Sequence, residues 1–248
     1  MAIASGGLTW CHIPNSVTYI GWPAFSGCTN LTHIYIPHSV TGIGYGAFKG
    51  CTSLLDITIP DSVTGIGPYA FNDCTNLKSI TIPDSVTHIG DWQFYDCENL
   101  TSITIPYGVK EIGEYAFCDC TSLTNITIPE SVTKIGKCAF KDCTSLTNIT
   151  IPESVTKIGQ QAFSGCTSLT SITIPYCVTE IGGCAFENCT SLKSVYCKAT
   201  TPPSIDMSIL DDKAIDCKIY VPRESVDAYK KADGWKEYAD QIEGYDFE

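Results

Sequence analysis

CTSLTNITIPESVTKIGQQAFSGC, residues 143–166, is the stretch whose reading decides the fold. It closes on the residue type with which it opens, and its neighbours repeat it. Cysteines stand at Cys28, Cys51, Cys74, Cys97, Cys120, Cys143, Cys166 and Cys189, each 23 residues after the last. A fixed period of this length marks a solenoid, in which one unit that cannot bury its own apolar face stacks on the next. Counting from Ser5, where a degenerate first copy begins, eight complete 23-residue coils and a partial ninth run to residue 195. Residues 120–136 and 143–159 are identical, which suggests a recent duplication.

Each slot of the coil has a physical reading. In residues 120–142, Leu123, Ile126 and Ile128 bring apolar side chains inward, and the last two alternate with Asn125 and Thr127 as in a strand with one solvated face. Pro129 ends this short parallel strand by removing an amide donor, and Glu130 with Ser131 turns the chain. Val132 and Ile135 point inward along a second extended run, and Gly136 allows a bend. Ala139 and Phe140 form a third side, predicted as a single helical or 3-10 turn. Asp142 occupies a slot that holds only Gly, Asp or Asn elsewhere, the residues that tolerate a left-handed turn end.

Stacking at the strand spacing of about 4.8 Å turns every slot into a ladder. Phe25, Phe48, Phe71, Phe94, Phe117, Phe140, Phe163 and Phe186 form the strongest one, each ring contributing roughly 1.5–3 kcal/mol when fully buried. A ladder cysteine reads as a small buried hydrophobe, and parallel Cβ vectors disfavour disulfides between neighbours, so free thiols are expected. Cys138 and Cys184 share a slot two coils apart, beyond bridging distance. Cys197 and Cys217 are the pair that neighbouring strands of the final segment could bring together. Cys118 and Cys120 are the best nucleus for a metal site, set against the place of Cys120 in the ladder.

After residue 195 the pattern breaks. Lys198–Ser204 reads as a loop, Lys218–Pro222 as one more strand, and about 224–242 as a capping helix. Val226, Tyr229, Trp235, Tyr238 and Ile242 would form its apolar side, with Gly234 weakening the middle. The chain therefore divides into a solenoid over 5–195 and a C-terminal cap over 196–248.

The 248 residues are 44% apolar and 17% charged, the composition of a folded chain. A net charge of −12 with no basic patch argues against nucleic acid. No apolar run is long enough for membrane insertion, and Met1–Gly7 has neither the basic start nor the apolar core of a signal peptide. His12, His33, His38 and His88 follow no catalytic motif, so neither an enzyme nor a cofactor is expected.

Two features interrupt a surface of Thr, Ser and Asn. Trp10, His12, His33 and Tyr35 cluster on outward strand positions of the first two coils, beside Asp56. They are candidate anchors for a protein or glycan, or else the seat of a covering segment. Trp22, Tyr45, Tyr69, Trp92 and Tyr115 form a ridge at the two variable positions before Ala-Phe, either an exposed contact surface or rings packed beside the Phe ladder. Asp61, Asp84, Glu130 and Glu153 read as a solvated acidic edge, with calcium the alternative.

The pattern Leu-x-x-Ile-x-Ile-Pro-x-x-Val-x-x-Ile-Gly-x-x-Ala-Phe-x-x-Cys, as in Leu146–Cys166, resembles the BspA-like leucine-rich repeat family over residues 5–195. The tail Tyr220–Tyr229, continuing to Trp235, looks like the end of such proteins from gut and oral Bacteroidetes. The resemblance implies an α/β solenoid, a right-handed leucine-rich-repeat superhelix with parallel β ladders. It also implies a cell-surface or extracellular, non-catalytic module for protein binding and adhesion. A structural spacer or intracellular interaction domain is the alternative.

Overall fold

In the computed structural model, residues 7–211, 214 and 216–247 are described; Ser5, where the repeat begins, and Glu248 lie outside them. The chain winds into a parallel β-solenoid of about ten turns with very little helix. Most coils contribute a three- or four-residue strand, a two-residue strand and a run of turns; the coil from Cys143 has only the second strand, Lys157–Ile158, and the coil from Cys74 has only an isolated bridge at Ile89 in place of its second. The first ladder pairs Trp10 with His33, Ile57 with Ile80, Ile103 with Ile126 and Ile172 with Val195, equivalent slots of successive coils held in register. In the strand Asn125–Thr127 the buried Ile126 sits between two exposed neighbours, as the alternation requires.

The third side is not the helical turn expected. Tyr69, Phe71 and Asp73 donate their N–H groups to Asp91, Gln93 and Tyr95 of the next coil, whereas Ala70, Asn72 and Cys74 donate to residues three positions back. Alternate amides thus serve alternate directions. A helix is excluded because from the second coil onward two slots have positive φ: the Gly/Asp/Asn slot, with Asp73 at 59° and Gly165 at 75°, and the slot before Ala-Phe, with Tyr69 at 59° and Gln161 at 54°. The first was legible in the sequence. The second was not, because apart from Gly46 the residues filling it, such as Tyr69, Trp92 and Gln161, carry no left-handed preference.

One core runs through the stack. Phe48 to Phe163 are fully buried, and successive rings are nearly parallel, with centroids 5.3 Å apart for Phe94 and Phe117 and 5.4 Å for Phe117 and Phe140. The glycine that follows the second strand is needed for close approach. A Cβ on Gly136 would stand 2.7 Å from the backbone of Gly113 one coil away. The ladder cysteines do more than fill space. Cys97 donates its S–H to the carbonyl of Phe71 at 3.2 Å, and Cys120 does the same to Phe94. Each such carbonyl also accepts the N–H three residues on, as Phe71 does from Cys74, so both lone pairs are used. Burial pushes the Cys51 thiol up to about 12.

One coil departs from the others. The slot filled by Ala47, Ala70 and Ala116 holds Gln93, which is fully buried. Elsewhere the glycine N–H crosses to the preceding coil, from Gly67 to Ile43 and from Gly113 to Ile89. At Gly90 it turns instead to Gln93 Oε1, 2.6 Å away. The second ladder breaks at this point: Ile43 pairs with Ile66 and Ile89 with Ile112, but Ile66 and Ile89 belong to separate ladders. Gln93 Nε2 is buried without a hydrogen-bond partner.

The strand Lys218–Pro222 forms as expected, and Ser171–Ile174, Ser194–Cys197, Lys218–Pro222 and Ile242–Tyr245 make one four-stranded parallel sheet. The continuous helix over 224–242 does not form. A helix spans only Val226–Lys231; Gly234, at φ 78°, then leads into the short 3-10 turn Trp235–Tyr238. Ile242 begins a strand that pairs with Ile219 and covers the open edge of its predecessor. Ser204, placed at the end of a loop by composition, starts a two-residue strand beside Glu180. Tyr229 and Trp235 still cap the core. Both are fully buried, and their polar atoms donate to Ala199 O and Pro203 O at 2.7 Å. Cys197 and Cys217 are not bridged; Cys197 Sγ lies 3.1 Å from the Tyr229 hydroxyl.

Candidate functional site

The two aromatic groups singled out in the sequence sit on different sides of the coil. On the outer face of the first ladder, register puts His12 opposite Tyr35, and their rings stack at 4.8 Å and 12°. Trp10 stands next to His12 with ring centroids 6.2 Å apart. His33 Nε2 approaches Asp56 Oδ2 at 3.8 Å, and both side chains are more than half exposed. Trp10, His33, Tyr35, His38 and Asp56 border a depression of about 280 Å³. Strand alternation places these residues outward; the core stays shut beneath them, with Ile34 and Ile36 buried. All five predicted residues are thus brought together, and Trp10 and Tyr35 are 58% and 47% exposed.

The ridge divides into two parts. Trp22 and Tyr45 lie one position before the left-handed slot and project into solvent, at 68% and 50% exposure. Tyr69, Trp92 and Tyr115 occupy the slot itself, are half-buried, and stack: Tyr69 on Trp92 at 5.7 Å and 5°, Trp92 on Tyr115 at 4.1 Å and 12°. Tyr95 leans against Trp92 at 4.8 Å. The inner three rings therefore support one another along the stack, and the outer two remain open.

Several of the remaining sequence candidates have local partners. Cys120 belongs to the thiol ladder, and Cys118 donates to Asp119 Oδ2 at 3.2 Å. Among the described residues no group of three or more His, Cys, Asp or Glu is placed to hold a metal ion. Asp61, Asp84 and Glu130 are exposed, and Glu153 holds Lys198 at 3.1 Å. A second acidic row, Asp73, Asp96, Asp119 and Asp142 at the Gly/Asp/Asn slot before the ladder cysteine, was not read as a charged row in the sequence. Burial, followed by the charges of Glu98, Asp73 and Asp119, raises the carboxyl of Asp96, and burial with Asp119 raises that of Asp142. A third aromatic group was also missed. Tyr196 and Tyr220 occupy the outward slot that holds Thr in the middle coils, and they stack at 4.9 Å and 17°. The departure from Thr at that slot was the available signal.

Stacked 23-residue coils, parallel ladders and an outer face free to vary define a leucine-rich-repeat solenoid. Six copies of the BspA type leucine rich repeat region match residues 3–123 and 87–213, and the chain belongs to that family. A leucine rich repeat protein of T. pallidum is similar over 65% of this chain and 78% of its own, with 34% identity and a TM-score of 0.62. A leucine rich cell surface protein of Faecalibacterium prausnitzii is similar over 98% of this chain and 89% of its own, with 28% identity and a TM-score of 0.65. A leucine-rich repeat protein of Bacteroides ovatus covers 96% of this chain and 80% of its own, with 26% identity and a TM-score of 0.58. No curated protein matches the chain. No helix among the described residues is long and apolar enough to cross a membrane.

Proposed function

We propose that the chain is a non-catalytic adhesion module, displayed at a cell surface, that holds a protein partner through the exposed aromatic residues of its first coils. One observation carries this reading: Trp10, Trp22, Tyr35 and Tyr45, all within the first coils, are each about half exposed or more, at 58%, 68%, 47% and 50%. Large rigid rings left open at this density are the residues from which binding hot spots are made. Trp10 and Tyr35 stand on paired strands of the first ladder, so little backbone freedom is lost when they engage. Support for the surface location comes from the F. prausnitzii relative, described as a cell surface protein, and support for protein binding from the family.

The test is biolayer interferometry of the immobilised chain against purified extracellular-matrix proteins and mucin. At least one should bind in the micromolar range, and Trp10→Ala or Trp22→Ala should weaken it roughly tenfold or more. A chain that retains none of them, or binding indifferent to both substitutions, refutes the reading.

A further inference from the structure

The opposite end of the solenoid carries a second aromatic group with a cavity of its own. Tyr245, 42% exposed, projects from the last strand and meets Tyr196 edge-on at 5.4 Å, Tyr220 at 5.6 Å and Phe247 at 4.9 Å. Across a cavity of about 250 Å³ stands Tyr176, itself 50% exposed, with the Lys198 ammonium 4.9 Å from its ring centre. Pro222 and Thr200 also line the space, and Glu224 and Asp246 stand at its margin. The volume lies below the roughly 300–1,000 Å³ of a drug-sized site, so it suits a single ring.

Charge narrows the chemistry. Lys198 is held by Glu153 at 3.1 Å and Arg223 by Asp246 at 2.6 Å. Each cation is already neutralised, which removes the driving force for an anion, while the carboxylate and ammonium atoms still offer acceptors and donors side by side. A polyhydroxylated neutral ring needs that mixture. Its axial C–H groups also match the negative faces of tyrosine rings.

We propose that this cavity is a subsite for one neutral pyranose, the terminal sugar of a glycan. One face of the sugar packs on Tyr245, Tyr176 closes the other side, and Glu224, Asp246 and Lys198 take up the hydroxyls. This site is separate from the aromatic end proposed to hold a protein, and either can fail without the other.

Saturation-transfer NMR on the full chain tests it, with methyl β-D-glucopyranoside, methyl β-D-galactopyranoside, methyl α-D-mannopyranoside and N-acetylglucosamine each at roughly ten times a millimolar Kd. At least one should show transfer to its ring C–H protons. Tyr245→Ala and Tyr176→Ala should each weaken binding about tenfold, the equivalent of one lost aromatic contact. Glu224→Gln, at an exposed position whose change leaves the fold intact, should also weaken it, and Trp10→Ala should not. Absence of transfer from all four sugars overturns the proposal. So does transfer unaltered by both tyrosine substitutions and by Glu224→Gln, or saturation of tetramethylammonium in preference to every sugar, which would mark a cation cage.

Discussion

Replacing Gln93 by alanine restores the residue that fills this slot in every other coil with an Ala-Phe pair, and the structure says what should follow. Wild type leaves Gln93 Nε2 buried without a partner, a state that costs about 1–3 kcal/mol. It also diverts the Gly90 N–H to Gln93 Oε1, away from the inter-coil bond that Gly67 and Gly113 make. Alanine removes the unpaired amide and frees Gly90 to bond Ile66. The diverted bond and the restored one are worth about the same, roughly 0.5–1.5 kcal/mol each, and cancel. The net gain is therefore about 1–3 kcal/mol, which for a chain of this length raises Tm by roughly 2–12 °C. Urea unfolding and calorimetry give the number, and amide exchange reports the cause: the Ile66–Ile89 ladder should close, and the Gly90 amide should exchange more slowly. Gln93→Leu removes the same amide, so the Gly90 amide should slow there too, but its bulk in a slot that the other coils fill with alanine should make the gain smaller. A loss of stability in Gln93→Ala, or unchanged exchange at Gly90, would refute the reasoning.

Thiol chemistry and pH provide two further checks. In the native chain, Ellman's reagent should modify Cys177, the exposed cysteine, rapidly, and the ladder cysteines from Cys51 to Cys166 only on unfolding; rapid native modification of a ladder thiol contradicts the burial that raises them. The carboxyl of Asp96 is raised in the folded chain, so the folded state binds more protons than the unfolded one just above the ordinary aspartate range, and stability falls as pH rises through that window. Asp96→Asn suits the Gly/Asp/Asn slot, where Asn188 already sits at φ 58°. It should stabilise at pH 7 by less than about 1 kcal/mol, because the site is partly solvated, and confer nothing below the ordinary aspartate pKa; thermal melts across pH decide.

The sequence displayed the solenoid well because its signals are redundant. Phe, Cys, Leu and Ile recur at one spacing, and an inward slot misread in one coil is corrected by the next. The positive φ of Asp73 and Asp142 was legible for the same reason, since only Gly, Asp and Asn occur there. The cap lacked that redundancy. Val226, Tyr229, Trp235, Tyr238 and Ile242 fit a helical stripe, yet Ile242 is drawn into a strand by the unpaired edge beside it, a tertiary demand that local spacing does not encode. The third side failed for a related reason: its alternating amides are bonded to the next coil, and the turn alone resembles a helix. At the candidate site, strand alternation put Trp10, His12, His33, Tyr35 and Asp56 on one outer face, as the structure has them, but the reading of the two variable positions before Ala-Phe treated Trp22 and Tyr115 as equivalent. The one-position offset between their slots leaves one in solvent and stacks the other.

The most direct test is ring-to-ring NOE spectroscopy on the chain with only phenylalanine protonated. A single continuous interior predicts cross-peaks linking Phe25 through Phe186 in unbroken succession, since neighbouring centroids lie 5.3 Å apart at Phe94–Phe117 and 5.7 Å apart at Phe163–Phe186. An interruption between Phe94 and Phe117, or rings broadened by a water-soluble relaxation agent, would contradict it.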